Sequence, residues 1–129
     1  MTAPTLDGLM RRSPLTIGPR DTLAAAQAIM EREGLRQLPV VEDGTLIGIL
    51  SERDLHAHIG YLERTKVDAA MTEAVITLTP GDTAARAAQV LLERKINALP
   101  IVDAGRLVGI VSRSDLLHLL IRLIEGSGQ

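Results

Sequence analysis

The side chains that could do chemistry in this chain fall in two short, matching stretches. Ser51 and Asp54 follow Gly48-Ile49-Leu50, and Ser112 and Asp115 follow Gly109-Ile110-Val111. A carboxylate accepts hydrogen bonds from two hydroxyl groups at once. A serine at the start of a helix, beside the free backbone N–H groups there, can help hold an anion such as a phosphate. The same spacing has an architectural reading. Ser-x-x-Asp resembles a capping box with Asp where Glu is commoner, and such a box stabilises a helix by about 1–2 kcal/mol without any ligand. The two roles are compatible. Gly48 and Gly109 permit a close backbone approach next to both sites.

Arg36, Arg53 and Arg113 are the cationic candidates for a phosphate, against the plainer reading of solvated surface arginines. Arg36 stands just before Leu38-Pro39, and its counterpart in the second stretch is Asn97. His56 and His58 are two apart, a spacing that does not share a helix face, so neither they nor His118 is expected to hold a metal. The chain has no Cys, which excludes disulfides, thiolate catalysis and Cys-type zinc sites. With no convincing Ser-His-Asp set either, an enzyme is the least supported class, and no catalytic residue is assigned. Nucleic acid is not expected as a partner: the net charge is −2, and Tyr61 is the one Phe, Trp or Tyr side chain in the chain for stacking. A local patch could still form if Arg11, Arg12, Arg20, Arg36, Arg53 and Arg113 converged.

The elements that position these residues are written twice. An offset of 61 residues, from Ser51 to Ser112, superposes Leu38-Pro39-Val40-Val41 on Leu99-Pro100-Ile101-Val102 and Pro19-Arg20-Asp21-Thr22 on Pro80-Gly81-Asp82-Thr83. Two copies are too few for a solenoid, so a pseudo-two-fold pair is expected. Each copy reads β-α-β-β-α. A short strand, Leu15-Thr16-Ile17 or Ile76-Thr77-Leu78, precedes a helix with Asp21 or Asp82 as the expected N-cap. Leu23, Ala26 and Met30, and likewise Ala84, Ala87 and Leu91, recur at helical spacing. Gly34 stops the first helix; Lys95 stands in its place in the second, which calls for another device. Glu42-Asp43-Gly44-Thr45 and Asp103-Ala104-Gly105-Arg106 then join two strands as hairpins. The fold class is α+β, mixed, with repeats over 6–60 and 67–124 and a joint at 61–66. The core is aliphatic, since hydrophobic residues make up 46% of the chain without Phe or Trp. The last helix is apolar around most of its circumference. That points to a homodimer contact through Leu116, Leu119, Leu120 and Leu123 rather than to a deeper internal core. No apolar stretch is long enough to span a bilayer, and no signal peptide is evident, so no membrane is involved and a cytoplasmic location is expected.

In order and twice over, these motifs resemble a tandem pair of CBS (cystathionine-β-synthase) domains. The resemblance rests on Met71-Thr72 (with Met10-Arg11 in the first copy), the two Leu-Pro strands, and Gly48 to Asp54 with Gly109 to Asp115. It covers about residues 6 to 120. It implies a stand-alone regulatory sensor, a Bateman module, with two clefts between the repeats that take adenosine compounds: AMP, ADP, ATP or S-adenosylmethionine. No cofactor is required. By the same resemblance Asp54 and Asp115 hold ribose hydroxyls, and Ser51 and Ser112 meet phosphate. Thr16, Ile17, Pro39, Thr77, Leu78 and Pro100 line the base, while Arg36, Asn97, Arg53 and Arg113 complete the set. The signal passes to an effector protein on a separate chain. A structural or protein-interaction module with vestigial clefts is the alternative, and a nucleic-acid-binding CBS protein a more distant one.

Overall fold

The structure, a computed structural model, describes residues 3–73 and 75–127, with only the backbone of Ser127. Its elements are β1 (Arg11–Arg12), α1 (Leu23–Glu33), β2 (Gln37–Glu42), β3 (Thr45–Ser51), α2 (Glu52–Ala57), α3 (Ala84–Arg94), β4 (Ala98–Asp103), β5 (Arg106–Ser112) and α4 (Arg113–Ser127). Two compact units form. One is Leu15–Val75; the other joins the residues up to Pro14 with those from Ile76 onward.

In the Leu15–Val75 unit, β2 and β3 make the expected hairpin, with Leu38 opposite Leu50 and Val40 opposite Gly48. Its turn places Asp43 at φ 51 and Gly44 at φ 81. Two successive positive φ values match the right-handed twist of a hairpin. α1 lays Leu23, Ala26 and Met30 on this hairpin, and Ile17, Leu38, Val40, Leu50, Leu55 and Val67 complete an all-aliphatic core. The second unit repeats the plan with β4, β5 and α3 around Leu6, Met10, Ala87, Leu91, Leu99, Ile101 and Val111.

The strand expected at Leu15-Thr16-Ile17 shrinks to one parallel bridge, Ile17 to Val40. The Ile17 N–H donates to Pro39 O at 3.1 Å and the Val41 N–H to Ile17 O at 3.0 Å. The next bond in a parallel ladder needs an N–H from residue 39 to reach Leu15, and Pro39 has none. Pro100 cuts the Leu78–Ile101 pairing short in the same way.

The N-caps are Thr22 and Thr83, not Asp21 and Asp82. Thr22 Oγ1 accepts from the Ala25 N–H and Thr83 Oγ1 from the Arg86 N–H, both at 3.1 Å. The aspartates turn backward instead. Asp21 Oδ2 accepts from the Gly18 N–H at 2.9 Å, and Asp82 Oδ2 from the Thr79 N–H at 2.7 Å. They close the turn that delivers the threonine to its cap. The second helix needs no separate stop. Lys95 takes the left-handed conformation at φ 55, as Gly34 does at φ 66, and its N–H reaches Leu91 O.

The opening segment of each repeat belongs to the unit built around the other. The Leu6 N–H donates to Asp82 O at 2.9 Å, and β1 pairs with β5, Arg11 opposite Ile110. Equivalently, the Val67 N–H donates to Asp21 O at 2.8 Å, and Thr72 bridges Ile49. The stretch 61–66 therefore separates the repeats in sequence yet folds inside the Leu15–Val75 unit, with Thr65 O accepting from the Leu23 N–H at 2.9 Å.

Candidate functional site

β3 runs directly into α2, and β5 into α4, so each Ser-x-x-Asp sits at a strand–helix junction. At the first, Ser51 is the N-cap and the capping box is complete. Asp54 Oδ2 accepts from the Ser51 N–H at 2.8 Å and from the Ser51 hydroxyl at 3.0 Å, while the Asp54 N–H donates to Ser51 Oγ at 3.3 Å. Both residues are half-buried. Oδ2 is thereby saturated, and Oδ1 of Asp54 has no partner among the described residues. The Glu52 N–H donates to Arg36 O at 3.0 Å, which ties Arg36 to the same helix start; its side chain is exposed.

The second junction has the same frame with different occupancy. Asp115 Oδ2 accepts from the Ser112 N–H at 2.8 Å, and the Asp115 N–H donates to Ser112 Oγ at 3.2 Å. The Arg113 N–H donates to Asn97 O at 2.9 Å, so Asn97 stands where Arg36 stands in the first. Here, however, Asp115 Oδ1 is engaged: Arg11 Nε lies 3.3 Å from it. The Ser112 hydroxyl, unlike that of Ser51, has no acceptor among the described residues.

Ile17 and Pro39 meet through their backbones along β2, as do Leu78 and Pro100 along β4; Thr16 and Thr77 are exposed beside them. Arg53 is exposed and contributes no contact to the capping box. Arg113 borders an apolar groove between α3 and α4, together with Pro4, Ala88, Leu92, Leu116 and Leu120. Leu119 and Leu123 also line this groove. Leu117, Leu120, Ile121, Leu123 and Ile124 are each at least half exposed, so the deeper internal core does not form around α4.

Gly48 and Gly109 admit protein rather than open a path to a ligand. A Cβ on Gly48 would lie 2.6 Å from Met71 Sδ and 2.9 Å from Thr72 O; one on Gly109 would lie 2.7 Å from Met10 Sδ and 3.0 Å from Arg11 O. The glycines let each returning segment lie flat on its hairpin. Two of the arginines are taken up by carboxylates: Arg12 pairs with Asp7 at 2.9 Å and Arg20 with Glu42 at 2.8 Å. His58 Nδ1 lies 3.0 Å from Asp54 O at the end of α2, while His56 and His118 are exposed. Among the described residues no cluster of three or more metal-ligating side chains occurs, and no helix is long and apolar enough to cross a membrane.

Arg11 enters from the sequence only as one of six arginines that could converge and as part of Met10-Arg11, not as a site residue. Its signal was the departure from Met71-Thr72 to Met10-Arg11, and only the β1–β5 pairing shows which junction it reaches.

The CBS domain family matches residues 6–61 and 67–122. A CBS domain-containing protein of Dictyostelium discoideum is 33% identical over 132 residues, covering 91% of each chain. The inosine-5'-monophosphate dehydrogenase of Mycobacterium tuberculosis is 38% identical over 109 residues, which are 82% of this chain but 20% of that enzyme. Among solved structures, CBSX2 in complex with AMP superposes with a TM-score of 0.86 at 26% identity, covering 93% of this chain and 98% of that one.

Proposed function

This chain belongs to the CBS domain family, and from that premise we propose that it is a regulatory module that binds an adenosine-type nucleotide at its strand–helix junctions and passes the bound state to a partner protein. The observation that carries the reading is Asp54. Its Oδ2 is consumed by the helix cap, while its Oδ1 is left unpaired at a half-buried position. A cap needs one carboxylate oxygen; the other is left for the role proposed for it, accepting ribose hydroxyls. Thr16, Ile17 and Pro39 provide a base-lining edge and Arg36 a cation for phosphate. In the other unit Thr77, Leu78, Pro100, Ser112 and Asp115 take the same parts, with Asn97 in the position of Arg36. The family and the AMP-bound relative support an adenosine ligand, with AMP, ADP, ATP and S-adenosylmethionine as the candidates. Binding would select one arrangement of the module, and the partner would read that arrangement. No catalytic step is proposed.

The apolar groove and the exposed leucines of α4 favour self-association, so the working form is proposed to be a homodimer through Leu116, Leu119, Leu120 and Leu123, acting in the cytoplasm. Calorimetric titration of nucleotide-free protein with the four compounds tests the ligand. Saturable heat with at least one is expected, and no heat and no thermal shift with any overturns the reading. The complete capping box favours a second reading, an interaction module without a ligand. That reading expects Ser51→Ala with Asp54→Ala to weaken partner capture while leaving any nucleotide response unchanged.

A further inference from the structure

The two junctions are equal in sequence frame but opposite in what they leave free. At Ser51 the hydroxyl proton is donated to Asp54, and Asp54 Oδ1 is open. At Ser112 the hydroxyl proton is unspent among the described residues, and Asp115 Oδ1 is covered by Arg11 Nε at 3.3 Å. The terminal nitrogens of Arg11 have no partner among the described residues, and the Arg11 side chain is 62% exposed against 11% for Asp115. The β1–β5 ladder fixes Arg11 opposite Ile110, two residues before Ser112, so the guanidinium is part of the junction.

Resting on the proposed nucleotide reading, we infer that Arg11 is the specificity-determining residue of the Ser112–Asp115 site and restricts it to ligands that carry a phosphate. A neutral nucleoside whose hydroxyls donate to Asp115 Oδ1 competes with Arg11 for that oxygen and offers the guanidinium nothing in return. A 5'-phosphate supplies an anion to the freed guanidinium and an acceptor to the Ser112 hydroxyl, both charge-assisted contacts. S-adenosylmethionine, with a sulfonium in place of phosphate, is disfavoured there. The Leu15–Val75 unit has Thr72 where Arg11 stands, so its Asp54 lacks this filter.

The test isolates the site with Asp54→Ala and titrates AMP and adenosine into that variant with and without Arg11→Ala. With Arg11 present, AMP is expected to bind at least about tenfold more tightly than adenosine. With Arg11→Ala, AMP weakens by about tenfold while adenosine binds equally or better. Arg11→Lys, which keeps charge but loses the fork, should fall between. An AMP-to-adenosine ratio unaltered by Arg11→Ala, in protein with an unchanged circular dichroism spectrum, overturns the inference and leaves nucleotide binding intact. Absence of any binding by the unsubstituted chain overturns nucleotide binding itself and the inference with it.

Discussion

Gly109→Ala reports on whether the returning N-terminal segment is an integral part of the second unit. The added Cβ would sit 2.7 Å from Met10 Sδ, 2.9 Å from Met10 Cγ and 3.0 Å from Arg11 O. The Met10 side chain can rotate away, but it is 8% exposed and packed in the core, so rotation opens a gap there. The Arg11 carbonyl cannot rotate without loosening its pairing with Ile110. Overpacking of this kind costs about 1–3 kcal/mol, offset by about 0.5–1 kcal/mol from the reduced chain entropy of Ala relative to Gly. The net loss is then at most about 2.5 kcal/mol, and about 1–2 kcal/mol toward the middle of the range. For a chain of this size that corresponds to a fall in Tm of roughly 4–8 °C. Differential scanning calorimetry measures it, and amide exchange over residues 10–12 should accelerate together with the loss of Tm. A variant that melts at or above the parent temperature, with exchange over residues 10–12 unchanged, refutes the close approach of β1 to β5.

Other perturbations follow from the same contacts. Thr83→Ala removes the N-cap of α3 and should cost about 1 kcal/mol in urea unfolding, and Asp82→Ala should also destabilise the helix start by opening the turn that presents Thr83. Lys95→Gly should stabilise the protein by about 1 kcal/mol, because a lysine at φ 55 bears a steric penalty that glycine does not, and Gly34→Ala should cost a similar amount. Leu120→Arg places a charge on the groove between α3 and α4; for the proposed homodimer through that groove, sedimentation should shift toward monomer without loss of helix content, and an unchanged sedimentation coefficient refutes that interface.

The repeated frame was legible because hydrophobic spacing and turn chemistry are local. Leu23, Ala26 and Met30 announced α1, and Asp43-Gly44 announced its hairpin, from sequence neighbours alone. The phase of the units was not legible. An internal repeat shows that position 6 matches position 67, but not that Leu6 packs beneath α3 while Val67 packs beneath α1. That choice depends on long-range bonds such as Leu6 to Asp82. The same limit hid the purpose of Gly48 and Gly109, whose neighbours arrive from Met71 and Met10. The identity of the N-cap residue was hidden for a different reason. Asp21-Thr22 offers two good capping residues in a row, and the order is decided by a turn bond from Gly18 to Asp21 that residue types alone do not specify. The candidate site was half legible. Ser-x-x-Asp identified both junctions, and Arg36 against Asn97 marked them as unequal. The stronger inequality, Arg11 on Asp115, required knowing that the first repeat's opening segment crosses to the second unit.

The paired carboxylates can be examined directly by titrating AMP into nucleotide-free protein carrying Asp54→Ala and Asp115→Ala together. Ribose binding by these groups predicts that the heat seen with the parent chain disappears while the circular dichroism spectrum persists. AMP binding of parental affinity in the doubly substituted protein would contradict it.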